Sequence, residues 1–190
     1  MVRRRTASDH AASAILTAAS RMVHAGEISQ MSIRTLAQRA TVAPMTIYNH
    51  FDGIGGVFEA LWCDGFERLA TAIRVPPNEP WADLRDAGIA YRRFAHDNAG
   101  HYRLMFLEVA AFEPTERAAI AAANAFGSLV DLVERLGELR PGVGTSTDVA
   151  QVVWSAVHGF VALEILGRNF ATDSDATFEQ LLLTVQHGLQ

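Results

Sequence analysis

Four hydrogen-bonding side chains crowd one short stretch of the chain, Thr46, Tyr48, Asn49 and His50, directly after Pro44 and Met45. Asparagine can pair with the edge of an adenine, and an apolar group can touch a thymine methyl. Tyrosine and histidine can hydrogen-bond phosphate oxygens, which fixes register on a duplex without reading its sequence. The chemistry on offer is therefore recognition of double-stranded DNA, and it requires one exposed helix rim to carry the group. Other candidates are weaker. His96, His101 and Glu108 lack metal-ligand spacing on a helix, no His-Glu-x-x-His pair occurs, and the single cysteine, Cys63, can form neither an internal disulfide nor a cysteine zinc cluster. No phosphate loop, nucleophile elbow or dinucleotide fingerprint is present. The sequence predicts no enzyme, no metal and no cofactor, and Cys63 beside Trp62 reads as a small buried residue.

The elements that must position the polar group follow from apolar spacing. A first helix is predicted from about Ser8 to Ala25, with Ile15, Ala18, Ala19, Met22 and Val23 on one face and Gly26 closing it. Ser32 caps a second, in which Ile33, Leu36, Ala37 and Ala40 recur at helical spacing. Thr41, Val42 and Ala43 turn the chain, and Pro44 sits where a first helical turn tolerates it. Helix, three-residue turn, helix, with apolar Val42 at the turn centre, is helix-turn-helix geometry, whose second helix enters the major groove. Ile47 and Phe51, four apart, should pack inward against Leu36 and Ala37, leaving Pro44, Met45, Thr46 and Asn49 on the rim. Six more helices are expected: about 55–74, 81–96, 101–108, 114–136, 147–169 and 175–189, with 140–147 the clearest loop. Strand signals are almost absent, so the fold class is all-α.

Charge supports the same division. The chain carries a net −5, yet residues 1–50 hold Arg3, Arg4, Arg5, Arg21, Arg34 and Arg39 against Asp9 and Glu27, a net of +4, leaving −9 on the remainder. A basic head on an acidic body suits a protein of which one end meets a polyanion. The arginines at 3–5 are followed by an Ala/Ser-rich amphipathic segment rather than an apolar run with a cleavage site, so no secretory leader is expected. The uncharged run 149–163 reads as too short and too polar to span a bilayer, which predicts a cytoplasmic protein without a membrane partner.

The run SIRTLAQRATVAPMTIYNHF resembles the DNA-binding region of the tetracycline-repressor (TetR) family, whose pattern is an Ile-Ala helix, an Ala-Gly-Val-Ser turn and Thr-Leu-Tyr-x-His-Phe. Here those positions are Leu36-Ala37, Ala40 to Ala43, and Thr46 to Phe51, and the likeness extends upstream to Ile15 and Gly26. WSAVHGFVALEI, beginning at Trp154, is similar to the Trp-x3-His-Gly signature of one subgroup of C-terminal domains in that family. The resemblance implies a helix-turn-helix domain over 1–54 joined to a larger helical effector-binding and dimerisation domain over 55–190, about nine helices in all. It also implies a homodimer through the last two helices, a near-palindromic operator and a small apolar or aromatic effector that releases a repressor. The dimer is expected to use Val149, Val152, Val153, Ala156, Phe160, Val161, Leu163, Leu181, Leu182 and Val185. The candidate DNA-contacting set is Arg3, Arg4, Arg5, Ser32, Arg34, Thr35, Pro44, Met45, Thr46, Tyr48, Asn49 and His50. The candidate effector set is Met105, Phe106, Phe112, Phe126, Trp154 and His158, each of which also reads as ordinary core or dimer packing.

Three departures from the family pattern bear on the head. Thr41 stands where the family has glycine, so the turn either avoids positive φ or is strained. Ala43 replaces the usual serine cap, and Ile54 replaces a lysine that would contact phosphate, shifting the expected burden to Arg3, Arg4, Arg5 and to backbone N–H groups at helix starts. Two rival readings stay open: a constitutive DNA-binding regulator without an effector, and an enzyme or scaffold that keeps a degenerate head.

Overall fold

The computed structural model describes residues 2–107 and 115–190, with side chains described from Asp9 onward. Among the described residues there are nine α-helices and no strand: α1 Val2–His24, α2 Ile33–Ala40, α3 Pro44–Phe51, α4 Ile54–Ala72, α5 Pro80–Asp97, α6 Ala99–Tyr102, α7 Glu116–Glu134, α8 Ser146–Ile165 and α9 Ser174–Leu189. They divide into two compact units, one of residues 1–65 and 98–119, the other of 66–97 and 120–190. The unit that contains the helix-turn-helix thus runs past residue 54, where the sequence pattern ends the first domain, and takes in a segment far along the chain.

In the first unit, α1 begins six residues earlier than the apolar pattern indicates, so residues 3–5 belong to its helical backbone. Gly26 stops it at φ +71, and Glu27 N–H reaches Met22 O at 2.9 Å, which completes a Schellman-type C-cap. Ile15, Ala19, Met22 and Val23 of α1, Leu36 and Ala37 of α2, Ile47 of α3, and Val57, Phe58 and Leu61 of α4 form one buried cluster. Val42 and Phe51 pack against it, as their spacing predicts. Leu104 is also a member, delivered by a π-helical turn over Arg103–Leu107 that follows α6. A Cβ at Gly100 would stand 2.0 Å from the Val23 carbonyl oxygen, so glycine alone lets α6 lie on the last turns of α1. Ser20 Oγ and His101 Nε2 meet beside that contact at 3.3 Å.

In the second unit α5, α8 and α9 pack mutually. Val149, Val153, Val157 and Val161 make the buried stripe of α8, matched by Phe178, Leu182 and Leu189 of α9 and by Leu84, Ala87, Tyr91 and Phe94 of α5. Full burial of a valine or leucine contributes roughly 1.5–3 kcal/mol, so these stripes dominate the unit's cohesion. α8 is longer than its uncharged run suggests: at 20 residues, with a mean hydropathy of 1.2 over its most apolar 18, it is long and apolar enough, by length and composition alone, to cross a membrane. Here it lies against α5 and α9 instead.

A single ionic cluster ties these three helices together. Arg92 of α5 donates from Nε and Nη2 to the two carboxylate oxygens of Glu164 on α8, at 2.8 and 2.7 Å, and from Nη1 to Asp175 of α9 at 2.8 Å. His96 Nε2 stands 3.0 Å from Glu164, and Ser174 donates its hydroxyl to the same carboxylate. The guanidinium lies 5.0 Å from the Phe178 ring centroid, a cation–π contact. Burial would raise the Glu164 pKa, but the hydrogen bonds from Arg92, Ser174 and His96 outweigh it and hold the carboxyl near 2.

Candidate nucleic-acid interface

The hydroxyl of Ser32 accepts from Thr35 N–H at 3.2 Å and the hydroxyl of Thr35 accepts from Ser32 N–H at 2.9 Å, a capping box that fixes where α2 starts. Thr35 also donates to Gln30 O at 2.9 Å, so its hydroxyl hydrogen is committed to this cap and is not left to reach a phosphate. Ser32 and Arg34 stay exposed at the same helix start. Arg39, one of the six arginines behind the basic head, pairs with Glu27 at 2.5 Å and contributes less to the outward field than the formal count suggests.

The turn adopts the strained alternative. Thr41 sits in the left-handed region at φ 56, ψ 44, and its N–H and that of Val42 close on the end of α2. A β-branched residue there costs on the order of 1–2 kcal/mol relative to glycine. Ala43 caps α3 without any side-chain hydrogen bond, as its type dictates, and Pro44 opens the helix.

On α3 the rim and the core separate cleanly. Ile47 is fully buried, whereas Met45 is 64% and Tyr48 51% exposed. Pro44 and Asn49 are exposed, and Thr46 and His50 are half-buried at the edges of the rim. Tyr48 lies against Gly53, its Cε1 3.6 Å from where a Cβ would be, which steadies the ring along the end of α3. Such a surface can place an amide, hydroxyls and apolar groups along a groove. Ile54 is half-buried against the head's own core, so this position supplies packing and no phosphate contact. Gly56 answers to packing as well, since a Cβ there would lie 1.8 Å from the Phe51 carbonyl oxygen. The side chains of Arg3, Arg4 and Arg5 lie outside the described residues.

The effector candidates separate between the two units. In the first, Met105 is buried with its thioether on Gly65, and the Phe106 ring lies 5.0 Å from that of Tyr102. Phe112 lies outside the described residues. In the second, Phe126, Trp154 and His158 come together: the Trp154 ring is 6.1 Å from Phe126 and 5.3 Å from His158, and Tyr91 Oη stands 2.9 Å from His158 Nδ1. Sequence reasoning missed Tyr91, which lies 67 residues from its partner. Burial lowers the His158 pKa from its ordinary value, so the imidazole is neutral near pH 7. The expected dimer set needs correction: Val149, Val153, Val161 and Leu182 are consumed in the subunit's own core, whereas Val152 and Leu163 are exposed, with Leu166 beyond them. Among the described residues no group of three or more His, Cys, Asp or Glu side chains is arranged to hold a metal ion.

Comparisons with known proteins agree with this geometry. Residues 15–61 match the family described as bacterial regulatory proteins, tetR family, and residues 84–185 match the tetracyclin repressor-like C-terminal domain. The chain is 27% identical over 164 residues to the HTH-type transcriptional regulator Rv0681 of Mycobacterium tuberculosis, covering 84% of this chain and 72% of that one. A protein of unknown function from Rhodococcus sp. RHA1 shares the fold at TM-score 0.79 and 22% identity, covering 92% of this chain and 93% of that one. NalD, the secondary repressor of the MexAB-OprM multidrug efflux pump in Pseudomonas aeruginosa, shares it at TM-score 0.65 and 20% identity, covering 97% and 98%. The chain belongs to the TetR family of bacterial transcriptional regulators.

Proposed function

We propose that the protein is a repressor that binds a near-palindromic operator as a homodimer in the cytoplasm and releases it when a small apolar or aromatic effector occupies the helical body. One observation carries the reading: α3 buries Ile47 completely while leaving Met45, Tyr48 and Asn49 outward. Asn49 and Thr46 are assigned to base edges, Met45 and Pro44 to thymine methyls, and Tyr48 and His50 to phosphate. With the lysine position filled by Ile54, α2's start at Ser32 and Arg34 and the arginines at 3–5 supply the remaining backbone contacts.

Dimerisation is assigned to the outward stripe of α8. Val152 and Leu163 are 56% and 47% exposed, and Leu166 follows at 38%. Gly159 lies between them, and nothing within 4 Å would meet a Cβ there, so a second α8 can approach closely at the stripe's midpoint. Two-fold symmetry then sets the recognition helices about 34–36 Å apart or somewhat more, and an effector regulates only by preferring a different spacing. Genome-wide recovery of DNA fragments bound by the intact protein tests the reading. An inverted repeat shared by the recovered fragments is expected; fragments without any common repeat would contradict it.

A further inference from the structure

An open cleft of about 390 Å³ lies between α5 and α9 of the second unit, within the size range of small-molecule sites. Ile89, Arg92, Arg93 and His96 line it from α5, recurring three and four residues apart on one helix face, and Asp175, Phe178 and Glu179 line it from α9 in the same way. One wall is therefore cationic and the other acidic. Most of these charges are already engaged. Arg92 holds Glu164 and Oδ1 of Asp175, Oε2 of Glu179 holds Arg85 at 2.6 Å, and His96 turns Nε2 to Glu164. Arg93 differs: it is exposed and, among the described residues, has no hydrogen-bond or ion-pair partner, so its N–H donors are unspent. On the other wall Asp175 and Glu179 each keep a second carboxylate oxygen for a further donor.

We infer that this cleft binds a zwitterionic amino acid with an apolar side chain, its carboxylate on Arg93, its ammonium on Asp175 and Glu179, and its side chain against Ile89 and Phe178. Arg93 reaches neither carboxylate although it lines the same cleft, so a ligand carrying both charges bridges a gap that the protein's own side chains leave open. Charge balance sets the class. The lining brings two guanidinium and two carboxylate groups, so a ligand of either net charge meets repulsion as well as attraction, whereas separated opposite charges, correctly oriented, meet attraction at both ends. A guanidinium also matches a carboxylate in two-point contact. None of the candidate effector residues lines the cleft, so the site stands apart from the proposed effector response.

Isothermal titration of the full-length protein with L-phenylalanine, with phenylpropanoate, which lacks the ammonium, and with phenethylamine, which lacks the carboxylate, tests this directly. L-Phenylalanine is expected to bind with a Kd of about 1 mM or tighter, and about tenfold better than either analogue, as one gained charge-assisted hydrogen bond allows. L-Alanine keeps both charges without the ring and should bind several-fold more weakly than L-phenylalanine. Arg93→Gln alters an exposed side chain with no internal bond, so it leaves the fold intact. It should lower phenylalanine affinity about tenfold, to the level of phenethylamine, without weakening phenethylamine itself. Glu179→Gln should instead narrow the preference over phenylpropanoate. No binding of L-phenylalanine at about 10 mM, equal or tighter binding of either analogue, or a phenylalanine preference that survives Arg93→Gln would overturn the assignment.

Discussion

Replacing Glu164 by glutamine tests the ionic cluster that joins α5, α8 and α9. Glutamine keeps the size of the side chain and can still accept from Ser174, but it removes the charge that Arg92 and His96 face. In the folded protein the carboxyl titrates near 2 instead of the usual 4.5, which corresponds to about 3 kcal/mol of stability at neutral pH. Asp175 at the cluster's edge is 88% exposed, so water screens part of this, and about 2 kcal/mol is the expected loss in Glu164→Gln at pH 7. The sign follows from the lowered pKa: the contribution is full above the unfolded value and disappears as pH falls through the folded one. The difference between wild type and Glu164→Gln should therefore hold from pH 7 to about 5 and shrink by about half by pH 3. Urea unfolding of both proteins at pH 7, 5, 4 and 3, followed by circular dichroism, measures it. A difference that is absent at pH 7, or constant down to pH 3, would refute the electrostatic origin.

Other outcomes follow from the same physical terms. Thr41→Gly should stabilise the protein by about 1 kcal/mol, because glycine accepts φ 56 without the β-branched clash, and a rise in urea midpoint with unchanged slope would show it. Ala43→Ser supplies the missing cap of α3 and should add about 1 kcal/mol, read in the same assay. Gly100→Ala should weaken the fit of α6 on α1 by about 2 kcal/mol or more, since its Cβ meets a backbone carbonyl, and hydrogen exchange in residues 20–24 should quicken. The imidazole of His158, followed by NMR, should titrate below its usual 6.5. Its lowered pKa means that it contributes stability above 6.5 which is lost as pH falls below that value, and His158→Phe should remove this part of the acid sensitivity.

The head was legible in the sequence because its determinants are local. Ser32 caps α2, Val42 plugs the turn, and Ile47 and Phe51 repeat at helical spacing toward the core they join. The tertiary additions were not legible. Leu104 enters the head's core, and Gly100 touches Val23 from some 77 residues away, contacts that no periodic pattern encodes. The clasp of Arg92 on Glu164 spans 72 residues, so no local spacing marks the two charges as partners. α8 misled for a different reason. Apolar residues lie on both its inner stripe and its outer one, so spacing marks it as a helix without saying which valines face α5 and α9 and which remain for a partner. The start of α1 was missed because the cap-type residues Thr6 and Ser8 point to a later start and residues 2–5 continue no apolar stripe.

The most direct test of the α3 rim as the DNA reader is fluorescence anisotropy on one recovered operator duplex and on a scrambled duplex, with wild type, Tyr48→Ala and Asn49→Ala. Wild type should bind the operator with an affinity that falls steeply with salt. Asn49→Ala should lose about 1–3 kcal/mol of preference for operator over scrambled DNA, and Tyr48→Ala should weaken both duplexes alike. Operator affinity and preference unchanged in both variants would contradict the assignment of α3 as the recognition helix.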